Sequence, residues 1–295
     1  MVPQSSELLT SLIVATLGRS RELEGLLRSL AAQKRGDFEI IVVDQNIDDR
    51  LAPILDGWAD RLRIKRVRAE SRGVCRARNI GAAHARGQWL LFPDDDCWYP
   101  HDFLCRLDKL RSEHPVAFYS GRAVDAQGRT IMGAFESKPG PIGRDSVWTT
   151  LIEWMMVVRR DAFEAASGFD EALGPGAGTP WGAYEAQDLA LGLLTAGYVG
   201  YYDPDLTGHH PDERSDRISA AGIAKIRTYN VGMGYVMRKH GYGFLVYLPR
   251  LLRPLAGVAV YTLSGRLEMA RRSWGIFSGR WSGWRGAPTP ESNRT

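Results

Sequence analysis

Two short apolar runs separated by an amphipathic helix restrict this chain to a fold with parallel strands. The runs are Leu12–Leu17 and Phe38–Val43, and neither alternates with polar residues, which is typical of strands buried on both faces. Ser20 can cap the intervening helix, whose apolar face consists of Leu23, Leu26, Leu27 and Leu30. Because a strand–helix–strand unit of this length forms a right-handed crossover, the two strands are predicted to pair in parallel.

Three carboxylates follow another apolar run, Trp89–Phe92, which predicts a short buried strand. They are Asp94, Asp95 and Asp96. Adjacent carboxylates repel one another, so keeping them together in a partly buried place is costly unless a cation is bound. Ligands of open α/β sheets bind beyond the carboxyl ends of the strands, where this triplet falls. It therefore indicates either a Mg²⁺ or Mn²⁺ site facing substrate phosphates or a solvated acidic turn.

Asp44 ends the second strand at the same predicted edge of the sheet. There it can accept hydrogen bonds from a nucleobase or ribose, or it can cap a turn. Further strands are predicted at Leu62–Arg68, Val116–Ser120, Met155–Val158 and Tyr198–Tyr202. Residues 121–150 are rich in Gly and Pro and indicate a long functional loop or an edge hairpin.

Positive charge is concentrated in two tracts of a chain whose net charge is only +4. Residues 61–86 contain nine Lys or Arg against one acid, and residues 250–285 contain seven Arg against one acid. Two such tracts indicate two anionic partners. The first tract includes Arg72, Arg76 and Arg78 just before the acidic strand, so these arginines can bind a diphosphate. It has no interleaved aromatic residues and no nucleic-acid-binding motif, so no nucleic-acid partner is predicted.

A Gly- and Pro-rich stretch, Gly174–Gly182, leads into an acidic helix. Its backbone is predicted to bend tightly and to approach a ligand closely. Glu185 and Asp188 follow at a spacing that puts both carboxylates on one helical face near the positive end of the helix dipole. They are either site residues or ordinary acids of a first helical turn. His209 and His210 follow the last predicted strand and are either structural or catalytic.

The C-terminal region differs in character from the rest of the chain. Pro249, Arg250, Arg253 and Pro254 interrupt an apolar segment whose uninterrupted part, Leu255–Leu263, is shorter than the ~20 residues that span a bilayer. Aromatic and Arg residues then alternate, which indicates either an interfacial membrane helix or a helix packed on the rest of the protein. The aromatic residues are Trp274, Phe277, Trp281 and Trp284.

Cysteine usage and the N-terminal run indicate a cytoplasmic protein. Cys75, Cys97 and Cys105 are odd in number and lack paired spacing, so neither a zinc site nor a disulfide framework is predicted. The apolar run Leu8–Leu17 has no basic residue before it, and Arg19 follows it, an order that is wrong for a signal peptide.

Six of these segments occur in the order of one enzyme family. They are the first strand with Thr16 and Arg19, Val43-Asp44, Ala77–Gly81, Asp94–Asp96, Gly168–Glu171, and the helix containing Glu185, Asp188 and Ala196–Tyr198. On these residues the chain resembles the family-two inverting nucleotide-sugar glycosyltransferases of the GT-A fold, over residues 11–211. The resemblance implies a Rossmann-like mixed α/β sheet. The C-terminal part resembles bacterial members that build cell-surface polysaccharides on lipid-linked acceptors.

The resemblance also implies roles for individual residues. Nucleotide-sugar contacts are expected from Thr16, Arg19, Asp44, Arg78, Asp94 and Asp95, with Asp44 at the nucleobase and Asp94 in the ribose and metal region. A Mg²⁺ or Mn²⁺ that bridges the diphosphate is expected on Asp96, Asp94 and His210. The base that deprotonates the acceptor hydroxyl is expected to be Glu185 or Asp188, and acceptor contacts are expected from Trp181 and Gly182.

One position departs from the family pattern. The family commonly has Glu-Asp where this chain has Glu185-Ala186, and the Asp is usually the base. Either Glu185 or Asp188 acts instead, or the chain is a catalytically impaired nucleotide-sugar or glycan-binding scaffold. The sequence has no Gly-x-Ser-x-Gly motif and no P-loop, which disfavours hydrolase and NTPase functions.

The expected organisation is a GT-A catalytic domain followed by a helical extension that associates with membrane. The catalytic domain covers residues 8–215, with a nucleotide-sugar half at about 8–120 and an acceptor half at about 121–215. The helical region covers 216–287, and 288–295 is expected to be a disordered tail. The expected activity is metal-dependent transfer of a hexosyl or deoxyhexosyl group to a glycan or polyprenyl-linked acceptor at the cytoplasmic face of the inner membrane.

Overall fold

The computed structural model describes residues 9–211 and 218–286, and these form two compact units. One unit contains residues 9–169 and 189–211, and the other contains 170–188 and 218–286. The predicted domain boundary at 215 and the predicted disordered tail at 288–295 both lie outside the described residues.

The first unit is built on one mixed sheet of eight strands in the order β3-β2-β1-β4-β7-β5-β8-β6. The strands are β1 Thr10–Thr16, β2 Phe38–Asp44, β3 Ile64–Arg68, β4 Trp89–Leu91, β5 Phe118–Val124, β6 Gly140–Ile142, β7 Val157–Arg159 and β8 Gly200–His209. The α-helices between them are α1 Arg21–Ala31, α2 Ala52–Asp56, α3 Val74–Ala83, α4 Phe103–Glu113, α5 Val147–Thr150, α6 Arg160–Ala165 and α7 Glu185–Thr195, whose first turn belongs to the second unit. The predicted mixed α/β sheet of the GT-A type is confirmed.

The parallel strands bring three site segments to one edge of the sheet. β1 pairs in parallel with both β2 and β4, and Thr16 lies opposite Asp44 in the β1–β2 register. An isolated bridge places Ala15 beside Asp94. The carboxyl ends of β1 and β2 therefore lie next to the acidic segment that follows β4, which is the crevice position of an α/β sheet.

Helix α3 packs closely on the sheet because one of its residues has no side chain. A Cβ on Gly81 would lie 2.3 Å from the Cγ2 of Ile13 and 3.0 Å from the Cγ2 of Val43. Both distances are too short for ordinary packing, so only glycine permits this approach. Arg78 lies one turn earlier on α3 and is thereby held against the sheet.

Several predicted element boundaries were wrong. The strand predicted at Met155–Val158 begins two residues later, as β7 Val157–Arg159, because the 3-10 helix Glu153–Met155 covers its predicted start. Strand β8 continues to His209, seven residues past the predicted end. Pro204 is tolerated within β8 because the pairing with β5 shifts between Ser120 and Arg122, so the proline sits at an irregularity where its missing N–H does no harm. Residues 121–150 contain the end of β5, the edge strand β6 and helix α5. Ser20 precedes α1, but its side chain makes no capping hydrogen bond.

The second unit contains three long helices, α8 Ala220–Lys239, α9 Phe244–Leu263 and α10 Leu267–Gly286. Glycines allow α8 and α10 to approach closely, since a Cβ on Gly283 would lie 1.9 Å from the carbonyl oxygen of Val231. Helix α9 continues through Pro249 and Pro254 for 20 residues, so the two prolines interrupt the apolar run but not the helix. Within the described residues, α9 is one helix that is long and apolar enough to cross a membrane by length and composition alone.

Candidate active site

The acidic segment after β4 and the end of β8 form one cluster of metal-ligand types. A ligand atom of Asp94, one of Asp96 and one of His210 all lie within 4.8 Å of one another. Nε2 of His210 is 2.9 Å from Oδ1 of Asp96. Nδ1 of His210 is 2.9 Å from the carbonyl oxygen of Pro211; a proton on Nδ1 would donate to that carbonyl and leave Nε2 to face the carboxylates.

Two arginines of the first unit, one after β1 and one on α3, contact the acidic triplet. Nη1 of Arg19 donates to Oδ1 of Asp95 at 2.7 Å and also contacts Asp96. Nη2 of Arg78 donates to Oδ1 of Asp94 at 2.9 Å, and the Arg78 side chain is only 1% exposed. The structure therefore brings together six of the residues predicted to bind the nucleotide sugar or the metal.

The pKa values of the triplet reflect burial opposed by these cations. Burial raises the pKa of Asp94 to about 7, against the lowering effect of Arg78, and burial also raises the pKa of Asp95. Burial acts in the same direction on Asp96, but the contacts with His210 and Arg19 outweigh it and lower the pKa. For His210, burial lowers the pKa, but the contacts with Asp96 and the Pro211 carbonyl outweigh it and raise the pKa.

Asp44 is fully buried and its carboxylate is saturated with donors. Its Oδ1 accepts from the backbone N–H of Asn46 at 2.9 Å and from the Asn46 side chain at 2.8 Å. Its Oδ2 accepts from Nε of Arg66 at 2.9 Å and from Nη2 at 2.6 Å. Arg66 also pairs with Asp49 at 2.7 Å. Arg66 belongs to the basic tract noted in the sequence, but its pairing with Asp44 was not predicted.

The Gly-rich loop of the second unit ends on a packed aromatic pair. The ring of Trp181 stacks on Tyr235 with 3.8 Å between centroids. A Cβ on Gly182 would lie 2.5 Å from the Cγ2 of Thr228, so packing on α8 already explains this glycine. The acceptor contacts expected of Trp181 and Gly182 stay predictions.

The two candidate bases differ in their surroundings. Glu185 is the first residue of α7, is buried, and follows Tyr184, whose φ of +79° is unusual for a residue with a side chain. Asp188 is held by two side chains: Nζ of Lys239 donates to Oδ2 at 2.9 Å, and Nε2 of His240 lies 2.7 Å from Oδ1. Lys239 also donates to Asp170 at 2.8 Å.

The Lys239 and His240 partners of Asp188 were not predicted from the sequence. They lie at the end of α8, more than 50 residues away in sequence, and no spacing rule links them to Asp188. Burial raises the pKa of Asp188, but the His240 hydrogen bond and the Lys239 charge outweigh it and lower the pKa below its usual value.

Comparisons with known proteins identify a family that matches most of the first unit. The model of glycosyl transferase family 2 matches residues 11–165. A PGL/p-HBAD biosynthesis glycosyltransferase of Mycobacterium bovis is 36% identical over 107 residues, which are 35% of this chain and 42% of the relative. The chain covers less than half the length of the curated relatives that it matches first.

Two solved structures share the fold over nearly the whole chain. A mannosyltransferase from Pyrobaculum calidifontis in complex with GDP-Man and Mn²⁺ matches with a TM-score of 0.61 and 16% identity, covering 94% of this chain and 85% of its own. Staphylococcus aureus TarS 1–349 in complex with UDP-GlcNAc matches with a TM-score of 0.55 and 17% identity, covering 95% and 92%. At these identities the likeness concerns the fold.

Proposed function

The chain belongs to glycosyl transferase family 2, and we propose that it transfers a sugar, with inversion, from a nucleotide-diphosphate sugar to a hydroxyl of a glycan or lipid-linked acceptor. The observation that carries this proposal is the Asp94–Asp96–His210 cluster at the carboxyl edge of the parallel strands. That edge is where α/β sheets bind nucleotides.

The cluster fits Mg²⁺ or Mn²⁺. It offers two carboxylates and one imidazole with ligand atoms within 4.8 Å of one another, and carboxylate oxygens are the ligands that these cations prefer. Asp94, Asp96 and His210 would hold the ion. When bound, it would neutralise the charge that gathers on the leaving diphosphate. The fold neighbour from Pyrobaculum calidifontis was solved with GDP-Man and Mn²⁺, which supports the same assignment here.

Arginines of the first unit supply the remaining positive charge of the proposed donor site. Arg78 is fixed by its bond to Asp94 and by burial, so it orients that carboxylate. The side chain of Arg19 is 41% exposed and ends on Asp95 and Asp96, so it can turn from the carboxylates to the diphosphate. A guanidinium that faces the leaving group stabilises developing negative charge.

We assign the base to Glu185 and a positioning role to Asp188. One oxygen of Asp188 accepts from Lys239 and the other contacts His240, and its lowered pKa makes it a weak proton acceptor. Glu185 is the first residue of α7, and the residue before it, Tyr184, has a left-handed backbone conformation. One carboxylate near the acceptor hydroxyl is sufficient for a single displacement with inversion, because no covalent sugar–enzyme intermediate is formed.

We further propose that the protein is cytoplasmic and binds the inner-membrane surface through α9. Only 17% of the most apolar part of this helix is buried. Leu245 and Leu263 are 81% and 90% exposed. Arg250 and Arg253 lie between them on the same helix, which favours a helix lying in the interface over one crossing the bilayer, since central charges are costly inside.

Donor turnover tests the proposal. The purified chain is incubated with UDP-, dTDP- and GDP-sugars in Mn²⁺, and release of the free nucleoside diphosphate is measured with and without EDTA. We expect one donor class to be consumed and EDTA to abolish the reaction. Donor binding without nucleoside diphosphate release, with polyprenyl-linked acceptors supplied, would instead identify the impaired binding protein.

A further inference from the structure

The two oxygens of the buried Asp44 carboxylate have different kinds of partner. Oδ1 accepts two hydrogen bonds from Asn46, one from its backbone N–H and one from its side chain. The Asn46 side chain is itself held, because its Oδ1 accepts from the backbone N–H of Gly18 at 2.7 Å. Oδ2 of Asp44 accepts from Nε and Nη2 of Arg66. Oδ1 is therefore fixed by the loops that follow β1 and β2, whereas the two hydrogen bonds to Oδ2 come from one arginine side chain.

Arg66 already contacts a second acid, Asp49, which lies towards the solvent. Nη1 of Arg66 is 2.7 Å from Oδ1 of Asp49, and the Asp49 side chain is 70% exposed. The Asp44 side chain is 0% exposed and that of Arg66 is 22% exposed, so the guanidinium extends from a buried carboxylate to one in water. A guanidinium carries five N–H donors in a planar fork. A turn of the Arg66 side chain can therefore release Asp44 while the contact with Asp49 is kept.

Arg68 lies close enough to compensate the charge of Asp44 when Arg66 turns away. It is two residues after Arg66 on β3, so the two side chains leave the same face of the strand. Nη1 of Arg68 donates to the carbonyl oxygens of Asn46 at 3.1 Å and Asp48 at 2.8 Å, which fixes the side chain. Its Nε lies 3.8 Å from Oδ2 of Asp44. Leaving a buried carboxylate without a counter-ion is costly, and Arg68 reduces that cost.

We propose that Arg66 is a positioning residue that alternates between Asp44 and Asp49, and that a nucleobase takes its place on Oδ2 of Asp44. A carboxylate only accepts hydrogen bonds, so the base must present an N–H, as uracil, thymine and guanine do with their ring N–H. This inference rests on the proposed donor binding and adds two residues to it. Arg66 competes with the donor, and Asp49 receives this competitor without contacting the donor itself.

The exchange predicts effects that are opposite in sign to those of net charge. A nucleoside diphosphate is an anion, so the loss of a nearby acid should strengthen its binding and the loss of a nearby arginine should weaken it. Under the exchange, Asp49→Asn weakens binding, because Arg66 loses its second partner and stays on Asp44. Arg66→Met strengthens binding, because the competitor is removed.

Titration calorimetry of the full chain with UDP and with GDP, at one saturating concentration of Mn²⁺, measures these signs. Arg66→Met is expected to tighten binding of the nucleotide by about tenfold, which corresponds to one charge-assisted hydrogen bond. Asp49→Asn is expected to weaken it by about threefold to fivefold, which corresponds to an exposed ion pair. Asp48→Asn is the matched control, since this neighbouring acid is half exposed and pairs with Arg50, and it is expected to change binding less than twofold.

The double variant that combines Arg66→Met with Asp49→Asn isolates the exchange from other effects of each substitution. Once Arg66 is absent, Asp49 has no competitor to receive, so Asp49→Asn should change binding less than twofold in this background. The same weakening in both backgrounds would show that Asp49 acts independently of Arg66 and would overturn the proposal. Unchanged or weaker binding by Arg66→Met alone would overturn it as well.

The design remains decisive if Arg66→Met fails to fold, which is a risk because Asp44 is buried. Asp49→Asn changes an exposed side chain and is expected to keep the wild-type Tm, and Asp49→Glu, which keeps the charge, is expected to bind like wild type. Weaker binding by the Asn variant alone supports the exchange, and equal or stronger binding by that variant refutes it while the donor site stands. Binding of neither UDP nor GDP by the wild-type chain would refute the donor site and this inference together.

Discussion

Asp188→Asn separates the positioning role of Asp188 from the chemical role of Glu185. The substitution keeps the size of the side chain but removes the charge that holds Lys239 and His240. Asp188 is 7% exposed, so water cannot replace the lost interactions. The pair connects the first turn of α7 with the end of α8 within the second unit, and its loss is expected to loosen the segment that carries Glu185.

The magnitude follows from the contacts. Each charge-assisted hydrogen bond contributes about 1.5–3 kcal/mol, and stranding one partner of a buried ion pair costs about 3–5 kcal/mol. Lys239 keeps Asp170 as a partner at 2.8 Å, so the full cost of a stranded charge does not apply. We expect the free energy of unfolding to fall by about 2–4 kcal/mol.

The pH dependence of this loss has a defined sign. Burial raises the pKa of Asp188, but His240 and Lys239 lower it overall, so its stabilisation is present above the unfolded pKa of about 3.9 and is lost as pH falls below it. Burial lowers the pKa of Lys239, but Asp188 and Asp170 raise it overall. The Lys239 contribution is therefore present below about pH 10.4 and is lost at higher pH.

Urea unfolding between pH 3 and pH 11, followed by tryptophan fluorescence, measures the difference between wild type and variant. The difference should be largest at neutral pH and should shrink towards both ends. Asp161→Asn serves as the matched control, because its ion pair with Arg159 is exposed and is worth less than about 1 kcal/mol. A loss for Asp188→Asn no larger than the control, or a chemical step that disappears in a fully stable variant, would refute the positioning role.

Four further outcomes are expected. Glu185→Gln should lower kcat by about 10²–10⁴-fold, the loss of a general base, with donor affinity little changed; single-turnover kinetics at saturating donor measures this, and an unchanged rate would show that the base lies elsewhere. Asp96→Ala should abolish Mn²⁺-dependent donor binding in calorimetry while the fold stays intact, since removing one crowded carboxylate relieves repulsion; retained Mn²⁺-dependent binding would contradict the metal assignment. Gly81→Val should lower the free energy of unfolding by at least about 1–3 kcal/mol because its side chain would overlap Ile13, whereas Gly36→Val, where a Cβ meets nothing within 4 Å, should cost much less. Leu245→Glu with Leu263→Glu should reduce co-sedimentation with phosphatidylglycerol vesicles, and unchanged co-sedimentation would exclude α9 as the membrane-binding element.

The sheet edge was predictable because local patterns were sufficient to define it. The apolar runs that became β1 and β2 each end on a polar site residue, and parallel pairing brings such ends together. The acidic triplet follows β4 for the same reason, and the bridge between Ala15 and Asp94 confirms its predicted place. His210 lies in the same cluster as Asp94 and Asp96, although the strand before it, β8, was predicted to end seven residues too early.

The apolar pattern did not predict the length of helix α9, because Pro249 and Pro254 interrupt the apolar run but not the helix. Pro249 and Pro254 lack an N–H, but helices tolerate this loss where the freed carbonyl groups face solvent or other donors. Arg280 donates to the carbonyl oxygen of Arg250, and such a donor from a neighbouring helix cannot be inferred from local sequence. The contact between Arg280 and Arg250 was visible only as a basic tract, since the two residues come from different helices.

The surroundings of Asp44 illustrate the limit of motif-based prediction for the donor site. The motif identifies a carboxylate at the end of β2, but the β2–β3 register places Arg68 opposite Asp44 and Arg66 opposite Val42, so pairing alone would favour Arg68 as the partner. Arg66 instead reaches Asp44 with two hydrogen bonds. Asn46 supplies two more, and a carboxylate has about four acceptor sites.

For Asp44 to accept a hydrogen bond from a nucleobase, as the family resemblance implies, one of these four donors must first move away. Arg66 is the better candidate to move, because the Asn46 contacts are local to the turn that follows β2, whereas Arg66 is partly exposed and has Asp49 as a second partner.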